Sequence, residues 1–168
     1  SATWLFFDED SSLFFIGCPG NDCVYALDEN SNIVNTYRIT NKYKHKKADF
    51  HHINDIYSTN GSLFVSMFSL SGNWVNQSYD GGVVEFDINT GECFGVVWDK
   101  LWMPHSITKY NGALVLLDSM TGRLISSDHG LQFKLPGFVR GLDFKDQFAA
   151  IALSGHRYPE KVNNFDFP

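Results

Sequence analysis

The chain has 168 residues, of which 43% are hydrophobic, 15% aromatic and 19% charged. This share of apolar residues is enough to bury a core, which excludes a disordered tail. The net charge of −6, from 13 Lys and Arg against 19 Asp and Glu, argues against a nucleic-acid partner, because such partners need a phosphate-binding face. Since 15 Phe and 7 Tyr occur with 14 Gly and only 5 Pro, the composition favours strands and tight turns, and therefore an all-β fold.

Three local features bear on the cellular setting. No run of about 18 apolar residues occurs, so neither a membrane span nor a membrane partner is predicted. Cys18, Cys23 and Cys93 are odd in number and form no CxxC pair, which indicates reduced cysteines in a cytoplasmic protein. The basic run Lys42–Lys47 lies between periodic segments and is predicted to be a solvated loop.

Hairpin patterns begin with the first residues. The apolar runs Trp4–Phe7 and Leu13–Ile16 flank the polar turn Asp8–Ser12. A different turn has an Asp that follows a strand and accepts backbone hydrogen bonds, with a nearby Asn or Gly that tolerates positive φ. This second pattern occurs at Val24–Asn32 and Val83–Gly91, and in shortened form at Ile125–Gly130.

A further hairpin pattern precedes the later two of these turns. Asn54–Ser66 and His105–Leu117 each place an Asn-Gly turn between apolar runs, and Arg140–Ile151 is a weaker copy. Two hairpins in succession make a unit of four antiparallel strands, which occurs about three and a half times along the chain.

Four-stranded units at this spacing are typical of β-propeller blades, in which the first strand of each blade lines the central channel. The sequence therefore predicts a partial β-propeller within a single domain, residues 1–168. Its blades cover approximately residues 3–38, 52–97, 105–135 and, incompletely, 139–154. A β-sandwich is the alternative, but it would not require the same turn residues to recur in the same order.

The polar residues at the starts of the inner strands indicate a site. Asn54-Asp55, His105-Ser106 and Arg140-Gly141 occupy comparable positions, and a propeller brings such positions to a common axis. His105 is the candidate acid/base, and Arg140 is the candidate clamp for a carboxylate or phosphate. A structural histidine and an inter-blade brace are the alternative roles for these two residues.

Asn54 and Asp55 offer oxygen ligands for a divalent cation, Ca²⁺ or Mg²⁺, although Asp near a strand start also caps turns. The long connection Phe68–Gly82 resembles inserts that cover propeller sites, and its Trp74 could stack on a ring.

His51 and His52 are adjacent, so in an extended strand they would face opposite sides and only one could face a ligand. The predicted ligand-binding residues are His52, Asn54, Asp55, Ser106, Trp74, His156 and Arg157.

Several of these segments resemble a known family. The pieces His52–Ile56, Met103–Ser106 with Asn111-Gly112 and Asp118–Gly122, and Pro136–Leu142 look like an uncharacterised bacterial family of six-bladed β-propellers. That family is similar to the wider group of strictosidine synthase, gluconolactonase of the SMP-30 type and NHL repeats.

The resemblance covers roughly residues 20–157 and implies a propeller with a polar site on its axis. The calcium-dependent hydrolases of the wider group use acidic and Asn ligands there, and Asn54 and Asp55 are the matches in this chain.

Two functions follow from these features. In the first, a small polar ligand, sugar-derived or carboxylated, binds at the channel axis, with lyase or hydrolase chemistry by His105 and Arg140. In the second, the chain is a non-catalytic interaction module or scaffold. At about 45 residues per blade the chain is half of a six-bladed ring, which predicts self-association or a second propeller half as partner.

Overall fold

The computed structural model describes residues 4–155 and is built almost entirely of antiparallel strands. The first sheet contains β1 (Trp4–Asp8), β2 (Leu13–Cys18), β3 (Cys23–Leu27) and β4 (Ile33–Tyr37). The second contains β5 (Ile53–Thr59), β6 (Ser62–Met67), β7 (Gly81–Asp87) and β8 (Cys93–Leu101). The third contains β9 (Pro104–Tyr110), β10 (Ala113–Asp118), β11 (Arg123–Ser126) and β12 (Phe133–Lys134), and β13 (Phe138–Lys145) pairs with β14 (Phe148–Ser154).

Each sheet pairs its strands in chain order, so that every sheet is a simple meander. This arrangement confirms the predicted partial β-propeller, with three complete four-stranded blades and one two-stranded blade among the described residues. The β-sandwich alternative does not fit, because each sheet in residues 4–155 holds only consecutive strands and the chain never returns to an earlier sheet.

The turns form by the predicted chemistry. Asp28 accepts hydrogen bonds from the backbone N–H of Asn32 at 2.8 Å and from its side-chain amide at 2.9 Å. Asp87 accepts in the same way from the backbone N–H of Thr90 at 2.7 Å. These hydrogen bonds lower the pKa of both carboxyl groups, because they favour the charged form.

The chain divides into two compact units, Ser1–Leu101 and Trp102–Pro168. In the first unit, the first and second sheets share a core that includes the buried Phe15, Tyr37 and Phe86. The Tyr37 hydroxyl donates to the Ile88 carbonyl at 2.6 Å, which joins the two sheets at their outer side. That all 168 residues form a single domain stays a prediction.

The second unit has its own core. Val115, Leu117 and Leu124 of the third sheet pack with Val139 of β13, and all four are buried. β13 lies beside β9 and β10, so the first strands of these two sheets are neighbours. The second unit therefore repeats the arrangement of the first, in which β1 lies beside β5.

A β-bulge interrupts the first strand of three sheets. On β5, Asn54 is the extra residue between the pairs Ile53↔Met67 and Asp55↔Ser66. On β13, Arg140 is extra between residues 139 and 141, and on β9 the shift falls between His105 and Thr108, where Ser106 has a φ of 53°. Bulges re-aim side chains and are frequent beside functional sites, and these three coincide with the predicted polar positions.

Three short 3-10 turns, Pro19–Asn21, Asn41–Tyr43 and Trp74–Asn76, are the helical elements of the described residues. In this part of the chain no helix has the length and apolar character needed to cross a bilayer.

Replacing Tyr37 by Phe removes the hydroxyl that bonds to the Ile88 carbonyl and keeps the ring. Because this bond is buried, we expect the free energy of unfolding to fall by about 1 kcal/mol in urea denaturation. Tyr110→Phe is the matched control, since the Tyr110 hydroxyl donates to the Asp146 carbonyl at 3.2 Å at an exposed position. It should cost less than about 0.5 kcal/mol, and equal losses in the two variants would contradict the role given to burial.

Candidate functional site

His105 is held in one orientation within the second unit. Its ring is only 3% exposed, and Nδ1 lies 2.9 Å from the Met103 carbonyl oxygen and 2.7 Å from Ser119 Oγ. A carbonyl can only accept, so Nδ1 must carry the proton that is donated to it. In neutral His105 the lone pair is then on Nε2, which is the atom able to act as a base.

His105 and Arg140 contact the same aromatic ring. The Phe138 ring packs edge to face on His105, with 5.5 Å between ring centroids, and the Arg140 guanidinium carbon lies 5.9 Å from the Phe138 centroid. Ser106 Oγ donates to the Arg140 carbonyl oxygen at 2.7 Å, which ties β9 to the bulge of β13. Three predicted site residues of the second unit, His105, Ser106 and Arg140, are thus brought together around Phe138.

A buried carboxylate lies next to the residues that hold His105. Asp118 is fully buried at the end of β10, next to the Ser119 that contacts His105. Its Oδ1 accepts from the Trp102 backbone N–H at 2.7 Å, and its Oδ2 accepts from Arg123 Nη2 at 2.8 Å. The first bond ties the segment that precedes β9 to the end of β10, and the second ties the end of β10 to Arg123 of β11.

In the first unit, His52 and Trp74 lie face to face, with 4.5 Å between ring centroids and an interplanar angle of 32°. Phe68 contacts the His52 ring at 4.6 Å, and His52 Nδ1 bonds to an Asp49 carboxylate oxygen. Tyr79 packs edge-on against Trp74 at 5.5 Å. The predicted ligand-binding residues His52 and Trp74 are therefore adjacent, in an aromatic cluster built partly from the long connection between β6 and β7.

The two adjacent histidines differ from expectation in their backbone. Both precede β5, and His52 has a φ of 53°, so the extended-strand argument for opposite faces does not apply. Their environments nevertheless differ: His51 is 2% exposed and its Nδ1 lies 2.6 Å from Asp22 Oδ2, whereas His52 is partly exposed beside Trp74.

Asp80 closes the long connection. Its Oδ1 accepts from Ser69 Oγ at 2.6 Å and from Ser78 Oγ at 3.1 Å, and its Oδ2 accepts from the Ser71 backbone N–H at 3.1 Å. Burial by itself would raise the pKa of Asp80, but these hydrogen bonds outweigh it and lower the pKa below the usual 3.8.

Asn54 and Asp55 are both buried at the β5 bulge, and Asp55 Oδ1 accepts from the Ile56 backbone N–H at 2.9 Å. Two neighbouring residues supply few of the six to eight oxygen ligands that Ca²⁺ takes. Within residues 4–155 no group of three His, Cys, Asp or Glu side chains is arranged to hold a metal ion. Ca²⁺ or Mg²⁺ at Asn54 and Asp55 stays a prediction.

Two predicted site residues and two contacts that the sequence did not predict remain to be described. His156 and Arg157 lie outside the described residues. Sequence reasoning did not single out Phe138 or Ser119 as contacts of His105. The signal for Ser119 was its position directly after β10, since Leu117 on that strand pairs with His105.

One family model matches the chain over residues 5–166, and its description is "Domain of unknown function (DUF4915)". The chain belongs to this family. No curated protein matches the DUF4915 chain. The matched range includes every candidate site residue, from His52 to Arg157.

Solved structures resemble the DUF4915 chain in fold. The computationally designed Ika8 protein has a TM-score of 0.58 at 12% identity, over 90% of this chain and 42% of that chain. A streptogramin B lyase has a TM-score of 0.48 at 14% identity, over 84% and 44%. BamB from Moraxella catarrhalis has a TM-score of 0.44 at 15% identity, over 83% and 52%. The chain therefore spans about half or less of the length of these proteins.

Replacing Asp80 by Asn tests the closure of the β6–β7 connection. A lowered folded pKa means that ionised Asp80 stabilises the folded state above about pH 4, and that this contribution is lost as the pH falls through the folded pKa. We expect Asp80→Asn to unfold about 1 kcal/mol more easily at pH 7 in urea titrations, with the difference shrinking as the pH falls through the lowered folded pKa of Asp80. Asp10→Asn, at an exposed position, is the control and should match the parent throughout.

Proposed function

We propose that this protein binds a small polar ligand that bears a carboxylate, sugar-derived or otherwise, and that His105 and Arg140 act on it in a lyase or hydrolase reaction. The proposal rests on one observation, the packing of both side chains on Phe138. A base and a guanidinium that pack on the same ring can contact two groups of one small molecule.

The chemistry divides between the two residues. Arg140 is exposed, and its planar guanidinium can hold a carboxylate through two parallel hydrogen bonds. The Met103 carbonyl accepts the His105 Nδ1 proton, so Nε2 is the nitrogen that we propose takes a proton from the substrate or from water and returns it to the leaving group. Ser106 positions Arg140 through its hydrogen bond to the Arg140 carbonyl oxygen.

The other candidate residues are proposed as ligand contacts, each within its own unit. We infer that His52 and Trp74 form an aromatic wall for a ligand ring, since their own rings are already stacked with Phe68 beside them. Further proposed ligand contacts are Asn54, Asp55, His156 and Arg157. No proposed step depends on a divalent cation at Asn54 and Asp55.

Wider assignments are also proposals. Membership of the strictosidine synthase, gluconolactonase and NHL group, a cytoplasmic location and the absence of nucleic-acid and membrane partners rest on sequence. A six-bladed ring completed by self-association or by a second propeller half is likewise a proposal, and it rests on the count of about three and a half blades in the sequence.

A scaffold is the second candidate function. It is favoured by apolar side chains on the last strands of the first two sheets: Ile33 and Val34 on β4 are 59% and 53% exposed, and Phe94 and Val96 on β8 are similarly exposed. Such side chains suit a protein partner. If the titration described below detects no binding of a small ligand, that result would favour the scaffold function.

Calorimetric titration with D-gluconate tests the first proposal, with D-glucose as the uncharged probe. We expect gluconate to bind and Arg140→Ala to weaken it by at least about tenfold, because the carboxylate loses its bidentate partner. His105→Ala should also abolish binding while leaving the melting temperature within a few degrees.

The control is Lys145→Ala, which removes an exposed cation from the same strand and should leave binding unchanged. Equal affinity of the parent and Arg140→Ala for gluconate would refute the anion clamp. If His105→Ala unfolds, His105 has a structural role only.

A further inference from the structure

A cleft in the first unit is lined by cations that the site above does not use. It has two adjoining lobes, which share Arg38 and Lys44. The first lobe, of about 260 Å³, adds Lys46 and Lys47. Four formally positive side chains thus face one small space in a protein whose net charge is −6.

The cleft is built on regular elements at one side. Tyr25 on β3 pairs with Thr36 on β4, and both line it. Arg38 follows β4, and its Nη1 donates to the Asn21 carbonyl at 3.0 Å. This bond orients the guanidinium before any ligand arrives, which reduces the entropy lost on binding.

The opposite side comes from the basic run. The 3-10 turn Asn41–Tyr43 overlaps the first residues of this run. The Thr40 side chain caps the turn by accepting a hydrogen bond from the Lys42 backbone N–H. Tyr43 is buried and stacks on Phe50 with 3.9 Å between centroids, and Lys46 Nζ lies 5.8 Å from each of these two rings. The run is therefore anchored by the buried Tyr43, and its lysines and His45 are exposed.

Neighbouring carboxylates do not neutralise these cations. Asp49 is the acidic residue nearest to the run in sequence, and Asp22 directly follows Asn21 of the cleft lining; they bond to His52 and His51 respectively. Within residues 4–155, no salt bridge involves a cation of the cleft. An anion that enters the cleft meets several positive charges at once, which strengthens its binding over that of an isolated surface lysine.

We propose that this cleft binds a small organic phosphate of the sugar phosphate class. The phosphate lies between Arg38 and the lysines of the first lobe, where a dianion gains most from several cations and from a bidentate guanidinium. The hydroxylated body lies in the second lobe, of about 380 Å³, against the Thr36 hydroxyl and the Asn41 amide. A long polyanion is disfavoured, because the rest of the protein is acidic.

Calorimetric titration of the full chain with D-glucose 6-phosphate, inorganic phosphate and D-glucose tests this proposal. We expect glucose 6-phosphate to bind more tightly than phosphate, glucose not to bind, and the affinity to fall between about 50 and 200 mM salt. Lys44→Ala, which affects both lobes, should weaken glucose 6-phosphate by about fivefold or more, and Lys47→Ala by a smaller factor.

Lys100→Ala is the control, since it removes an exposed cation of the same unit outside the cleft. All three lysines are exposed, so unchanged melting curves will show that the variants fold. The proposal is wrong if glucose 6-phosphate does not bind, if Lys100→Ala weakens it as much as Lys44→Ala, or if a single-stranded oligonucleotide displaces it at lower concentration. Because Arg140→Ala should leave this binding unchanged, the outcome is separable from that of the carboxylate site.

Discussion

The Tyr37 side chain joins the first two sheets through both its ring and its hydroxyl. The ring packs edge-on against Phe15 of the first sheet and Phe86 of the second, with centroids 5.9 and 5.8 Å apart. The hydroxyl donates to the Ile88 carbonyl. An aromatic residue with a buried polar end provides apolar area and a directional bond at once, so the sheets pack at a defined distance and in a defined register. This contact ties the end of β4 in the first sheet to the residue that follows β7 in the second.

The sheets share one topology, but the side chains at the start of their first strands differ. Three first strands have an extra residue within their first positions, yet the side chains there differ: Asn54 on β5, Ser106 on β9 and Arg140 on β13. A bulge releases its residue from the ladder and turns the side chain away from the alternation of the strand. The repeated scaffold can therefore present different chemistry from each sheet without a change in the core.

Features that depend on neighbours in sequence were predictable. Asp28 and Asp87 form their turns with residues two to four positions away, and the apolar runs that define the strands are read directly from the chain. For His51 and His52 the extended-strand premise was wrong, because both precede β5 and His52 has a φ of 53°. Their partners also come from elsewhere in the chain. His51 bonds to Asp22, and His52 stacks on Trp74 from a loop whose closure requires Asp80. No local pattern specifies such partners.

The sequence by itself determined the strand order, the turn chemistry and the polar identity of the inner positions, because periodicity and turn propensity act over a few residues. The tertiary structure decided what those positions can do. The Met103 carbonyl sets the protonated nitrogen of His105, and Phe138 of β13 packs against both His105 of the neighbouring sheet and Arg140 of its own strand. Among the described residues, Arg38 and the lysines of the cleft make no salt bridge, while Asp22 and Asp49 bond to histidines. Charge and proton positions depend on which groups packing brings within about 3 Å, and that is a property of the folded chain alone.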